Sequence, residues 1–221
     1  MNRLLLLAAT AILAAGCVND SPLYVTGIFP MDEDCKLTPG TTRQYRGSLD
    51  LSGSPSYLLL IDLISELDGQ LDTKADDQTL VTGKQRNTVI LDQISLTYVT
   101  VPSSIVLEPE LVPTAIVALP GDTQHIGMNM FGPLAIEKLG LALPNAGDRA
   151  EVRVKVEFRG KINSGGRIAS TPITYPITVY RSGTTCAAGE FFCPTGLCGN
   201  IGGQDGSPLV CSAAMACLAK P

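Results

Sequence analysis

The sequence predicts an all-β protein built as a two-sheet sandwich, and three observations lead to this fold class. Over residues 151–159 apolar and charged residues alternate strictly, which is typical of a half-buried antiparallel strand. Further short apolar segments are separated by turns rich in Gly, Pro, Asn and Asp. One segment alone has the spacing of a helix. Many short strands with little helix favour a sandwich over a parallel α/β fold.

Composition narrows the function classes. The chain has 221 residues, of which 45% are hydrophobic, enough to bury a sizeable core in one or two domains. The formal net charge is -5, and Lys and Arg are scattered along the sequence, which argues against nucleic acid as a partner. A single His and no Trp leave little material for His-based metal sites, catalytic triads or aromatic sugar platforms.

The strands are predicted in order from the alternating or continuous apolar segments between turn signals. Within residues 88–100 the apolar parity changes near Asp92 and Gln93, which indicates a β-bulge. The predicted strands cover residues 23–25, 44–51, 57–64, 88–100, 115–119, 125–130, 151–159 and 173–179.

The last two strands are expected to form a hairpin, because the turn signal N-S-G-G lies at residues 163–166 between them. Pro172 and Pro176 remove ladder donors, so the second strand of the pair is expected at a sheet edge or in intermittent pairing. A short helix is expected over residues 133–143, with Pro133 near its start. Together residues 31–182 are predicted to form an immunoglobulin-like β-sandwich.

The first 16 residues have the form of a secretory signal, with Arg3 before an uncharged apolar stretch over residues 4–15. A membrane-spanning helix needs about 20 apolar residues, so this stretch is too short to be a membrane anchor by itself.

Small residues come immediately before a cysteine in the sequence L-A-A-G-C at residues 13–17. This resembles the lipobox of bacterial lipoproteins. The resemblance implies that the chain is cut before Cys17, that Cys17 carries the lipid, and that residues 17–30 are a lipidated tether. Val18 in place of Asp implies sorting to the outer membrane. The alternative is an ordinary signal cut after Ala15 or Gly16, which leaves Cys17 as a structural thiol.

The combination of a lipobox, a charged alternating strand, a Gly turn, a Pro-containing strand and a following Cys also resembles uncharacterised β-sandwich lipoproteins of soil and predatory diderm bacteria. This resemblance implies no functional residues.

Residues 183–221 are predicted to be a disulfide-stapled tail, because they are rich in Cys and poor in large aliphatic side chains. The chain has seven Cys, and assigning Cys17 to lipid leaves an even set for three disulfides in an oxidising compartment. Cys35 is expected to pair with one of the five tail cysteines, which leaves fifteen pairings open. The expected disulfide cysteines are Cys35, Cys186, Cys193, Cys198, Cys211 and Cys217.

Neither a metal nor another cofactor is predicted. The Cys spacings in the tail do not match common zinc sites, and the acidic residues at 32–34 and 68–77 lack the EF-hand pattern, so solvated charge is favoured there over calcium binding. The Gly-rich residues 199–206 are expected to form the turn of a Cys-bounded loop rather than a phosphate loop. His125 is expected to be a satisfied or exposed side chain rather than a base.

The sequence therefore favours an outer-membrane lipoprotein that acts as a structural or interaction subunit of the cell envelope, with an envelope protein partner and no catalytic role. The alternative is an envelope lipoprotein that binds a ligand or glycan through end loops at residues 69–79 and 102–113. An envelope hydrolase ranks third.

Overall fold

The structure is a computed structural model. It describes residues 21–30, 42–53, 55–67, 87–192, 203–206 and 209–213, together with the backbone of residues 73–75 and 78–80. These residues are mostly β-strand with one short helix, in agreement with the predicted all-β class. In chain order the elements are β1 (Leu23–Pro30), β2 (Gly47–Asp50), β3 (Leu58–Ser65), β4 (Thr73–Ala75), β5 (Gln78–Leu80), β6 (Val89–Val101), β7 (Glu110–Ala118), β8 (Thr123–Asn129), α1 (Pro133–Ala142), β9 (Arg149–Ile162), β10 (Arg167–Ala169), β11 (Ile173–Tyr180), β12 (Glu190–Phe192) and β13 (Cys211–Ala213).

Two sheets form the body of the described chain. The first has three antiparallel strands in the order β1-β3-β8. The second has the order β2-β11-β9-β6-β7, and β10 adds to β9 beside this path. Its pairs are antiparallel except β2 and β11, which run parallel. Two small pairs, β4-β5 and β12-β13, complete the described strands.

The bulge predicted in the long strand is confirmed. In β6 the register shifts between Leu91 and Gln93 against both neighbouring strands. Before the bulge Leu91 is buried, and after it Ile94 and Leu96 are buried although they have the opposite parity. The extra residue therefore turns both apolar sets toward the same core.

The strand β11 contains Pro176, while Pro172 precedes it, and β11 is an interior strand over half of its length, so the edge placement is wrong for that half. β11 pairs with β9 along its whole length, and β2 covers its other side from Ile177 to Tyr180. Pro176 lies just before the part that β2 covers, and a residue without an N–H is tolerated there. The intermittent pairing expected for this strand therefore holds on its β2 side. The turn at residues 163–166 instead connects β9 to the short strand β10.

One hydrophobic cluster includes side chains from both sheets and from the helix. The three-stranded sheet contributes the side chains of Leu59, Ile61 and Leu63 on β3 to this cluster, and the other sheet contributes side chains of β9. The β9 pattern agrees with the predicted alternation, because Val152, Val154, Val156 and Phe158 are fully buried. Burial of apolar side chains on both sheets is the main force that holds such a fold together.

The helix α1 begins at Pro133, as predicted, since a residue without an N–H is well placed in the first turn. Leu139 is fully buried against the core. Of the helices in the described residues, none has the length and apolarity needed to cross a membrane.

The chain enters the two sheets at one end, here called the entry end and defined by Ser21, Leu23, Ala169 and Thr171. The Thr171 N–H donates to the Leu23 carbonyl at 2.8 Å, and the Ser21 hydroxyl donates to the carbonyl of Ala169. These contacts tie the start of β1 to the segment that joins β10 and β11.

A glycine on β9 provides a test of the packing between β9 and β6. A Cβ added to Gly160 would lie 2.2 Å from the carbonyl oxygen of Ile90, which belongs to the backbone of β6. We expect Gly160→Ala to lower the free energy of unfolding by about 1 to 3 kcal/mol, because this backbone has to shift. Urea denaturation measures the change.

The matched control is Gly140→Ala in α1. The nearest atom to an added Cβ there is Arg181 Nη2 at 3.9 Å, an ordinary contact. Because Ala is a better helix former than Gly, this variant should be as stable as the original chain or up to about 1 kcal/mol more stable. Equal losses in the two variants would contradict the steric account.

Candidate functional site

Residues 203–206, here called the tail segment, close the free edge of β2. The Asp50 N–H donates to the Gly203 carbonyl at 2.7 Å, and the Asp205 N–H donates to the Ser48 carbonyl at 2.9 Å. Leu49 and Gln204 form an isolated antiparallel bridge between these bonds. The Gly-rich stretch expected to be only a turn therefore supplies backbone pairing to the six-stranded sheet.

The tail segment also contacts the other sheet through a side chain. Gln204 accepts from the Leu58 N–H at 2.9 Å and donates to the Leu58 carbonyl at 2.7 Å. Leu58 is the first residue of β3. One tail residue therefore links both sheets at the end of β3 that lies opposite the entry end.

A buried tyrosine completes this link. The Tyr57 hydroxyl donates to Asp205, with both carboxylate oxygens at 2.9 Å, and lies 3.2 Å from the Tyr175 hydroxyl. Burial, the hydrogen bond with Tyr175 and the charge of Asp205 raise the pKa of Tyr57 far above its ordinary value. Tyr57 therefore stays protonated and remains a hydrogen-bond donor at neutral pH and above it.

The contacts of Gln204 and Asp205 with Leu58, Tyr57 and Tyr175 are here called the tail junction. Available space explains the residue type at one position beside it, and backbone conformation explains the residue type at another. A Cβ on Gly47 would lie 1.8 Å from the Tyr57 hydroxyl, so β2 must begin with glycine for Tyr57 to reach Asp205. Asp205 has a φ of 53°, in the left-handed region that Asp tolerates better than most residues. The Asp205-Gly206 pair was the sequence signal for this turn, whereas its partners on β2 and β3 gave no local signal.

Asp50 organises the neighbouring ends of β2 and β11. Its carboxylate accepts from the Ser52 N–H at 2.9 Å and from the Ser182 N–H at 3.0 Å. Burial opposes the ionisation of this carboxyl, but the hydrogen bonds from Ser182 and Ser52 outweigh it and hold the pKa of Asp50 below its ordinary value. The ionised form therefore stabilises the fold.

One disulfide between two of the six predicted cysteines lies within the described residues. Cys186 and Cys211 are bonded with a sequence separation of 25, which joins the chain after β11 to the strand β13. With this pair assigned, Cys35 and the three remaining tail cysteines have three pairings left in place of fifteen. Cys35, Cys193, Cys198 and Cys217 lie outside the described residues, as does Cys17.

A second feature, here called the basic groove, lies at the bulge of β6 and the β9–β10 hairpin. It has a volume of about 880 Å³. Its lining includes Arg159, Lys161 and Arg167, with Asp92 and Gln93 from the bulge. Lys and Arg that are scattered along the sequence are thus brought together on one surface. Alternation along β9 was the signal for it, since every second residue there is charged.

The remaining candidates from the sequence have structural roles where they are described. His125 Nδ1 lies 2.6 Å from Asp62, its cross-strand neighbour, and the imidazole is 57% exposed. In the predicted end loop at residues 102–113, Leu107 is buried and Glu110 accepts from the Ala135 N–H at 3.0 Å at the start of α1. The acidic residues at 32–34, 68, 72, 76 and 77 lie outside the described residues.

Within the described ranges, no group of three or more His, Cys, Asp or Glu side chains is placed to hold a metal ion. Comparison of the chain with protein-family models, with curated proteins and with solved structures finds no match.

The tail junction can be tested by removing one hydroxyl. We expect Tyr57→Phe to lower the free energy of unfolding by about 1 to 3 kcal/mol, because Asp205 and the buried Tyr175 hydroxyl both lose the Tyr57 hydroxyl as a hydrogen-bond partner. Urea denaturation measures the loss. The amides of Asp50 and Asp205, which pair β2 with the tail segment, should exchange with solvent faster in the variant.

The matched control is Tyr45→Phe, because Tyr45 is 76% exposed. This variant should change the free energy of unfolding by less than about 0.5 kcal/mol. Losses of the same size in both variants would rule out a stabilising role for the tail junction.

Asp50 gives the fold a dependence on pH. Because its pKa is lowered in the folded state, its contribution is complete above the unfolded value of about 3.9 and is lost as the pH falls through the folded value. We expect Asp50→Asn to be less stable than the original chain at pH 7, with a smaller difference at pH 2. Melting temperatures from pH 2 to 7 measure this, and two parallel curves would contradict it.

Proposed function

We propose that this chain is a lipid-anchored lipoprotein of the outer membrane that serves as a structural or interaction subunit of the cell envelope. The observation that carries the proposal is the short separation in sequence between the lipobox-like residues ending at Cys17 and Ser21, the first residue that the structure describes. Ser21 already donates a hydrogen bond to Ala169. Four residues of extended chain reach about 14 Å at most, so a lipid on Cys17 would hold the entry end against the bilayer.

The strand order supports an immunoglobulin-like sandwich as the body of this lipoprotein. The order β1-β3-β8 corresponds to strands A, B and E of that fold, and β11-β9-β6-β7 corresponds to strands G, F, C and C′. β2 adds in parallel beside β11, as expected for an N-terminal strand that crosses from one sheet to the other. Domains of this architecture often present surfaces and loops to partners, which agrees with a role as an interaction subunit.

The alternative of ligand or glycan binding through the 102–113 loop has less support than the interaction role. In the 102–113 loop Glu110 is turned inward to the backbone of α1, and the Tyr98 hydroxyl lies 3.4 Å from the same carboxylate. The buried carboxylate at the end of this loop is thus engaged within the protein. We therefore place the interaction role ahead of ligand binding.

The anchor is tested with Cys17→Ser. We expect the mature N-terminal peptide of the original chain to carry acyl mass, and the variant to lose that mass and move to the soluble fraction, because the acylated thiol is gone. Mass spectrometry of the N-terminal peptide and membrane fractionation measure both effects. Gly16→Ala is the matched control, since it keeps a small residue before the cysteine and should leave acylation intact.

An unmodified N-terminal peptide in the original chain would overturn the lipid anchor.

The interaction role is tested by crosslinking in cells and capture of the tagged, lipidated chain. A dominant envelope protein in the captured material supports a subunit role, whereas a chain recovered alone overturns it and favours ligand binding.

A further inference from the structure

The outer face of β9 and the adjacent β10 carry much of the positive charge of an acidic protein. The chain has a net charge of -5, with 16 Lys and Arg in total. Those on β9 and β10 are all exposed. They are Arg149, Arg153, Lys155, Arg159, Lys161 and Arg167.

The charges on this face are unequally neutralised. Arg153 Nε lies 2.7 Å from Glu151, and Arg159 Nη2 lies 2.5 Å from Glu157. Asp92 lines the basic groove, but no carboxylate of the described chain forms an ion pair with Lys161 or Arg167. These two residues are partners across the β9–β10 ladder, so their charges project from adjacent strands.

The groove lies at the entry end. Ala169, which lines it, is the residue whose carbonyl accepts the Ser21 hydroxyl. The lining also includes Ile162, Ile168 and the glycines of the hairpin turn, so the charged groups lie next to apolar side chains and glycines. The charge is therefore concentrated where the chain leads back toward Cys17.

We propose that the basic groove binds the phosphate groups of membrane lipids, with Lys161 and Arg167 as the principal contacts. This inference rests on the proposed lipid anchor, which would bring the groove to the membrane surface. Arg167 offers a planar fork of N–H donors that suits a phosphate, and Lys161 adds a compact charge. The bound headgroups would fix the orientation of the sandwich above the bilayer.

The proposal is tested by measuring vesicle binding of a chain that lacks the lipid anchor. The protein used is the chain without its first 17 residues, which keeps every residue that the structure describes. We expect it to sediment with vesicles of phosphatidylglycerol and phosphatidylcholine at low salt, and not with phosphatidylcholine alone. Since the whole chain is acidic, attraction to anionic vesicles requires a local positive site.

The double variant Lys161→Gln/Arg167→Gln should weaken the partition onto the anionic vesicles about twenty-five-fold, at about fivefold for each cation near the surface. The matched control is Arg149→Gln/Lys155→Gln, which removes the same number of positive charges from β9 outside the groove. Lys155 lies about 20 Å from Lys161 along β9, away from the groove. The control pair should reduce binding less than threefold.

Equal losses in the two double variants would overturn the proposal, because the attraction would then be spread over the whole strand face. Absence of binding to the anionic vesicles would overturn it as well. Release by 10 mM inorganic phosphate at constant ionic strength would assign the groove to a free phosphate instead of a lipid. Because this assay uses a chain without Cys17, its failure leaves the acyl mass on the N-terminal peptide as a separate test of the anchor.

Discussion

The alternation of apolar and charged side chains along β9 is the constraint on which most of this structure depends. β9 pairs with β6 on one side and with β10 and β11 on the other. Its inward residues lie at the centre of the shared core, while its outward residues form the charged face. Because side chains alternate with a period of two, a slip of one residue would bury the charges and expose the valines. Register, core and surface charge are thus set together by one strand.

Local sequence patterns predicted much of the fold, because they report on each strand alone. The alternation in β9, the parity change at Asp92 and Gln93, and Pro133 at the start of α1 each correspond to the structure. The parallel pairing of β2 with β11 left no such local pattern, since it depends on strands that are far apart in sequence. For the same reason the prolines predicted an edge placement that is wrong for half of β11.

The candidate sites were harder to predict than the strands. At the tail junction, Tyr57 and Asp205 are separated by 148 positions, and neither belongs to a recognisable motif. The basic groove is formed because β10 folds back on β9, so Lys161 and Arg167 become neighbours through a turn that the sequence did indicate. The sequence showed which residue types are present at these sites, but not which residues become neighbours across strands.

The tail junction can form only late in the synthesis and folding of this protein. Gln204 is 146 positions beyond Leu58, so at roughly 5 to 20 residues per second it is synthesised about 7 to 30 s later. Through that interval the edge of β2 has no tail segment to pair with, and the Tyr57 hydroxyl has no Asp205 carboxylate to bond. The backbone pairing at the edge of β2 and the Gln204 bonds to Leu58 therefore form only after residues 203–206 have been made, so these contacts are among the last of the described fold to be completed.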